Sequence, residues 1–198
     1  VEVRDDSSLE GDAVLTYGSD AHGCSMTASS GASVRAASLR LDSREGANCT
    51  LAARTKSNIS ATRFSFDGSR TELMDESELT AELVSFEGDV LSVANDSRVE
   101  VGSGGIEART VSLARSSSLT ATDVLNLTAS AALAVEVSSS IVATAGRVAS
   151  PVVEVRDDSS LEGDAVLTYG SDAHGCSMTA SSGASVRAAS LRLDSREG

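Results

Sequence analysis

Tryptophan is absent from this chain, proline and lysine each occur once, and aromatic residues make up only 3% of 198 positions. A rounded enzyme core of this size normally draws on aromatic bulk. A narrow core of stacked alanine, valine and leucine does not need it. No apolar run approaches the ~20 residues of a membrane-spanning helix, and no stretch reads as a secretory leader. Positive charge is scarce: 16 Lys and Arg stand against 29 Asp and Glu, a formal net charge of −13. That balance excludes a nucleic-acid partner, which requires a basic surface. It also excludes docking on anionic membranes. All but one of the cations are arginine, and nothing in the sequence explains that bias.

What the chain does have is hydrophobic content, 40% of residues, enough for a real core. It also has repetition. Residues Val1–Gly46 recur without a change as Val153–Gly198, an offset of 152. Fold constraints alone would let solvent-facing positions drift, so the identity indicates tandem copies of a 152-residue unit. Residues 1–152 form one long repeat and 153–198 open the next. Inside the unit a shorter phrase recurs, a small or polar residue before an aliphatic anchor. The anchors are Leu9, Val34, Ile59, Leu79, Val99, Leu119, Ile141 and Leu161, spaced by 25, 25, 20, 20, 20, 22 and 20. Those spacings divide the unit into seven coils.

Each coil carries short alternating stretches, such as Leu39 and Leu41, Phe64 and Phe66, Val84 and Phe86. A third alternation closes the coil, as in Val111 and Leu113, Leu133 and Val135, Val153 and Val155. Alternation is the mark of strands, whose side chains change face at every step. Three short strands per coil of 20–25 residues predict an all-β parallel β-helix, or β-solenoid. A leucine-rich repeat would space its apolar residues differently and follow them with asparagine. Helical repeats would show i, i+3, i+4 stripes. In its architecture, over its whole length, the chain resembles the pectate-lyase-like and adhesin-like β-helices. That resemblance implies the fold and leaves function open, because such folds serve as depolymerases, adhesins and filaments.

The cysteines test the register. Cys24 lies 15 residues after Leu9 and Cys49 lies 15 after Val34, so they share a phase in neighbouring coils. Adjacent strands lie ~4.8 Å apart, within the Cα span of a disulfide. The spacing predicts a Cys24–Cys49 bond; the alternative is two small buried thiols in a ladder. Cys176 repeats Cys24, and its own partner falls past residue 198.

All four asparagines, Asn48, Asn58, Asn95 and Asn126, open an Asn-x-Ser/Thr sequon. Chance in a chain this rich in Ser and Thr would give about one. The pattern predicts a secreted protein with N-linked glycans. Asn126 between Leu125 and Leu127, and Asn58 before Ile59, are expected to face outward; Asn48 and Asn95 are expected in turns.

Other residues invite chemistry less well. Asp5, Asp6 and Asp12, copied as Asp157, Asp158 and Asp164, could act as paired carboxylates on a sugar or bind calcium. Aspartate in solvated turns accounts for them more simply. His22 and His174 read as turn residues with no nucleophile motif beside them. Gly102, Gly104 and Gly105 lack the helix and lysine of a phosphate loop and predict a tight bend or small insertion. Tyr17, Phe64, Phe66 and Phe86 fall on core-phase positions.

The chain is therefore expected to be structural. It reads as a glycosylated extracellular filament or surface fibre, its partners being copies of itself, stacked end to end, covalently continuous or bundled side by side. The alternatives are an adhesin stalk and, less well matched, a polysaccharide-degrading β-helix. No residue is assigned a catalytic, cofactor or metal-binding role. Neither end reads as a cap, so the rod is expected to continue in both directions.

Overall fold

The computed structural model describes residues 1–18, 23–43, 48–169 and 176–194. The regular elements there are all β-strands, fourteen of them in one sheet, and every pairing is parallel. The strands stack as a β-solenoid of about eight turns. The expected anchors lie directly over one another. Leu9 is opposite Val34, Val34 opposite Ile59, Ile59 opposite Leu79 and Leu79 opposite Val99. Val99 is opposite Leu119, Leu119 opposite Ile141 and Ile141 opposite Leu161.

The three short strands expected per coil are joined more tightly than the sequence indicates. Asn58–Met74, Glu78–Ala94 and Arg98–Ala114 are each one strand of 17 residues that wraps a whole coil. The pairing between the first two of these is interrupted at residues 62 and 69. Those bends divide the coil into three flat stretches, called here face one (58–61), face two (63–68) and face three (70–74). On each face alternate residues point inward: Ile59 and Ala61, Phe64 and Phe66, Thr71 and Leu73, all buried.

The coil closes at a corner between faces three and one, and there the backbone turns through two consecutive residues of positive φ. The pairs include Asp5/Asp6, Thr55/Lys56, Asp75/Glu76, Asn95/Asp96, Arg115/Ser116 and Val137/Ser138. Among the described residues sixteen non-glycine positions are held this way, each at a cost of about 1 kcal/mol. Stacking offsets the cost. At each corner from Asp5/Asp6 to Asp157/Asp158 the second residue's N–H donates to the first residue's carbonyl in the next coil, for example Glu76 to Asn95 and Ser116 to Val137, both at 2.8 Å. A serine sits just inside six of the corners. Ser57, Ser77, Ser97, Ser117, Ser139 and Ser159 are all 1% exposed. The Ser57 N–H donates to Ser77 Oγ at 3.3 Å, and the Ser77 hydroxyl donates back to the Met74 carbonyl at 2.7 Å. A small hydroxyl fits there because it satisfies backbone groups on both sides without filling core volume.

The core is a set of ladders, because a residue's neighbours are its equivalents in the coils above and below. One runs Leu41, Phe66, Phe86, Ile106, Leu127 and Val148. Within it the Phe66 and Phe86 rings stack with centroids 4.9 Å apart and planes 14° from parallel. Phe64 is buried as expected; the side chain of Tyr17 lies outside the described atoms.

The tight bend expected of the glycine-rich stretch falls at Gly102, between faces one and two, and a close backbone approach falls at Gly104. Its φ is +138°, and a Cβ there would meet the Val84 carbonyl oxygen at 1.9 Å. The insertion, however, falls one coil later. Ser118–Glu136 has 19 residues, and its register against Arg98–Ala114 shifts between Val101 and Gly104 and again between Ala108 and Thr110. The two extra residues let that coil bulge around unchanged core positions.

Candidate functional site

Cys24 and Cys49 are bonded, with Cα atoms 4.4 Å apart. Their two strands, Ser25–Ser29 and Thr50–Arg54, continue from the bridge in strict register, Met26 opposite Leu51 and Ala28 opposite Ala53. The bond therefore ties the start of face three in one coil to the same point in the next. Cys176, the copy of Cys24, carries a free thiol and is partly exposed. A disulfide fits an oxidising compartment, and no helix is long and apolar enough to cross a membrane among the described residues.

The four sequon asparagines lie in different surroundings. Asn126 is exposed on face two between buried Leu125 and Leu127. Its neighbours in the ladder are Gly105 and Arg147, and beside Gly105 there is open space. Asn48 is exposed immediately before Cys49. Asn95 stands at a corner with φ of +58°. Its Nδ2 donates to Asp75 at 2.7 Å and its Oδ1 accepts from Arg115 at 3.1 Å, so three coils are linked by one amide. Asn58 stands on the outward side of its strand, alternating with buried Ile59 and Ala61, as expected, but with little room around it. It is half-buried, its Nδ2 donates to Glu78 at 3.3 Å, and its Oδ1 is buried without a partner. The reason is its place directly after the corner, where Ser33 and Glu78 flank it in the ladder. Two sequons thus present free amides and two hold theirs in inter-coil hydrogen bonds.

The aspartates do not converge. Asp5 and Asp6 occupy a corner pair, and Asp12 is exposed at the bend between faces one and two. No group of three or more His, Cys, Asp or Glu able to hold a metal occurs among the described residues. Asp6 does have a local role: a Cβ on Gly31 would lie 2.1 Å from its carboxylate, so the glycine leaves that carboxylate room. His22 and His174 lie outside the described residues.

An open groove of about 530 Å³ runs along the edge of face two. Asp67, Glu87 and Glu107 form a carboxylate row along it, one per coil, with Asp89 and Arg109 beside them. This groove would repel anions and gather loosely held cations.

Sequence reasoning missed the corner serines, although the signal was present: a serine stands two residues before seven of the eight aliphatic anchors. It also missed Thr71, a buried hydroxyl without a hydrogen-bond partner in the ladder of Leu51 and Leu91.

No protein-family model, curated protein or solved structure matches the chain.

Proposed function

We propose that this chain is a length of an extracellular, N-glycosylated structural filament built from tandem 152-residue repeats. The observation that carries the reading is the seam between the first copy and the second. Ser140–Ala143 pairs residue for residue with Ser160–Gly163, and Leu133 pairs with Val153. The corner crosses the seam on the same hydrogen bond as elsewhere, Ser138 N–H to the Asp157 carbonyl at 2.8 Å. One long repeat therefore stacks on the next as its own coils stack on each other.

The filament is secreted, stapled by its disulfide and coated with glycans, which resist proteases and keep rods from aggregating.

Electron microscopy and fibre diffraction of the native material test this. A continuous filament gives a meridional spacing near 4.8 Å and, from seven coils, an axial period of about 34 Å. Short rods ending in globular heads would overturn it and favour an adhesin stalk.

A further inference from the structure

The first sequon consists of Asn48, Cys49 and Thr50, and its middle residue is half of the disulfide. The glycan proposed for Asn48 and the bond at Cys49 therefore fall on adjacent residues.

The folded peptide is held there from both sides. Toward the preceding coil, the Thr50 N–H donates to the Cys24 carbonyl at 2.8 Å. Gly23 packs so closely on the same side that a Cβ would meet the Asn48 carbonyl oxygen at 2.1 Å. Toward the following coil, the Cys49 carbonyl accepts the Ser69 N–H at 2.9 Å, the Ser69 hydroxyl at 3.1 Å and the Arg70 N–H at 3.3 Å. Cys49 is fully buried, and Thr50 already belongs to the extended strand Thr50–Arg54. Asn48 alone of the three is exposed.

Receiving a glycan asks more of a peptide than carrying one. In the transfer the asparagine nitrogen bonds to the anomeric carbon of a glycosyl pyrophosphate. The sugar's bond to pyrophosphate breaks, and the amide proton passes to a base of the transferase. The enzyme must enclose the whole sequon, with the threonine hydroxyl turned back toward the asparagine side chain. Peptide 48–50 cannot make that turn while Cys49 is buried and its backbone is bonded on both sides. A finished glycan needs only space at the amide, which exposed Asn48 has.

We propose that the Cys24–Cys49 disulfide closes the Asn48 sequon, so that the glycan is added before the bond or not at all. The bond forms by exchange: the two thiols give two electrons and two protons to a protein disulfide, which becomes a dithiol. Timing makes the two reactions compete. Cys24 precedes Asn48 in the chain, so the bond needs only residues already made when the sequon emerges, whereas Ser69 and Arg70 are made later. Asn126 meets no such lock. Its neighbours Gly105 and Arg147 hold it by strand pairing alone, which opens reversibly until the coils have packed. The order at Asn48 is one-way, because a chain already glycosylated there still closes its bond. This inference rests on the N-glycosylated reading and adds what controls one of its sites.

The test uses the chain secreted from a eukaryotic host, in a Cys176→Ser background that removes the third cysteine. Glycopeptide mass spectrometry reads occupancy at Asn48 and Asn126 together with the disulfide. Asn48 is expected to be occupied in part of the molecules, below Asn126, and the unoccupied molecules carry the bond. Cys24→Ser leaves the sequon intact and raises the ratio of occupied to unoccupied Asn48 severalfold, with Asn126 unchanged. Dithiothreitol given to cells during synthesis does the same without any further substitution, and after its removal the added glycosylated molecules form the bond. An Asn48 ratio indifferent to both treatments, or an equal rise at Asn126, would overturn the proposal. So would an oxidised, folded chain that accepts a glycan at Asn48 when incubated with transferase-bearing membranes. Glycan at Asn126 with none at Asn48 under any condition would overturn this inference and leave the glycosylated reading standing; no glycan at any of the four sequons would overturn both.

Discussion

Cys24 and Cys49 occupy the same position in consecutive coils, and their disulfide closes a 25-residue loop that is one whole turn of the solenoid. Because each coil touches only its neighbours, the bond stabilises locally. Replacing both cysteines by serine is expected to cost about 3 kcal/mol, mostly through a less restricted unfolded chain. Hydrogen exchange should quicken at Met26–Ala53 and stay slow at Val111–Val135. Equal quickening in both segments would show that the coils do not open independently.

Gly104 and Gly105 are adjacent in sequence and opposite in tolerance. Gly104→Ala forces a Cβ against the Val84 carbonyl at a φ of +138° and should cost about 3 kcal/mol or more. Gly105→Ala enters open space and should fall within about 0.5 kcal/mol of the parent. Urea denaturation of the two variants measures the contrast, and a Gly104→Ala protein as stable as the parent would refute the close approach.

Thr71 is fully buried and its Oγ1 has no hydrogen-bond partner. Thr71→Val keeps the branched shape and removes the stranded hydroxyl. It should raise stability by about 1–2 kcal/mol, seen as a higher denaturation midpoint at constant slope. A destabilised variant would mean that the hydroxyl is satisfied in solution.

Val137 is a β-branched residue at φ of +54°, and it is 47% exposed. Val137→Gly removes its Cβ clash with the backbone and should gain about 1 kcal/mol. Val137→Asn should gain less but in the same direction. A loss of stability in both would show that the valine contributes packing greater than its strain.

If the chain is glycosylated as proposed, occupancy should follow the folded environment. Asn126 and Asn48 present free amides, while Asn58 and Asn95 hold theirs in hydrogen bonds to Glu78 and Asp75. Peptide mass spectrometry of protein secreted from a eukaryotic host should find fuller occupancy at the first two. Full occupancy at Asn95 would require the Arg115–Asn95–Asp75 link to form around a glycan.

The coil period, the stacking of Leu9 through Leu161 and the pairing of Cys24 with Cys49 were all legible in the sequence. In a solenoid a core residue's neighbour is the residue one coil away, so a spacing read along the chain is already a contact read in space. What lies outside the core follows no such rule. The corner of positive φ takes Asp, Asn, Arg and Val as readily as glycine, because a stacked hydrogen bond and a buried serine hold it, and its one mark in the sequence is the serine that follows it. The half-burial of Asn58 comes from that corner. The carboxylate row of Asp67, Glu87 and Glu107 comes from residues a full coil apart being carried to one side of the rod. The periodicity of the sequence determined which residues stack. The positions of the corners, settled only when the backbone closes each coil, decided which side chains share a surface and what charge that surface presents.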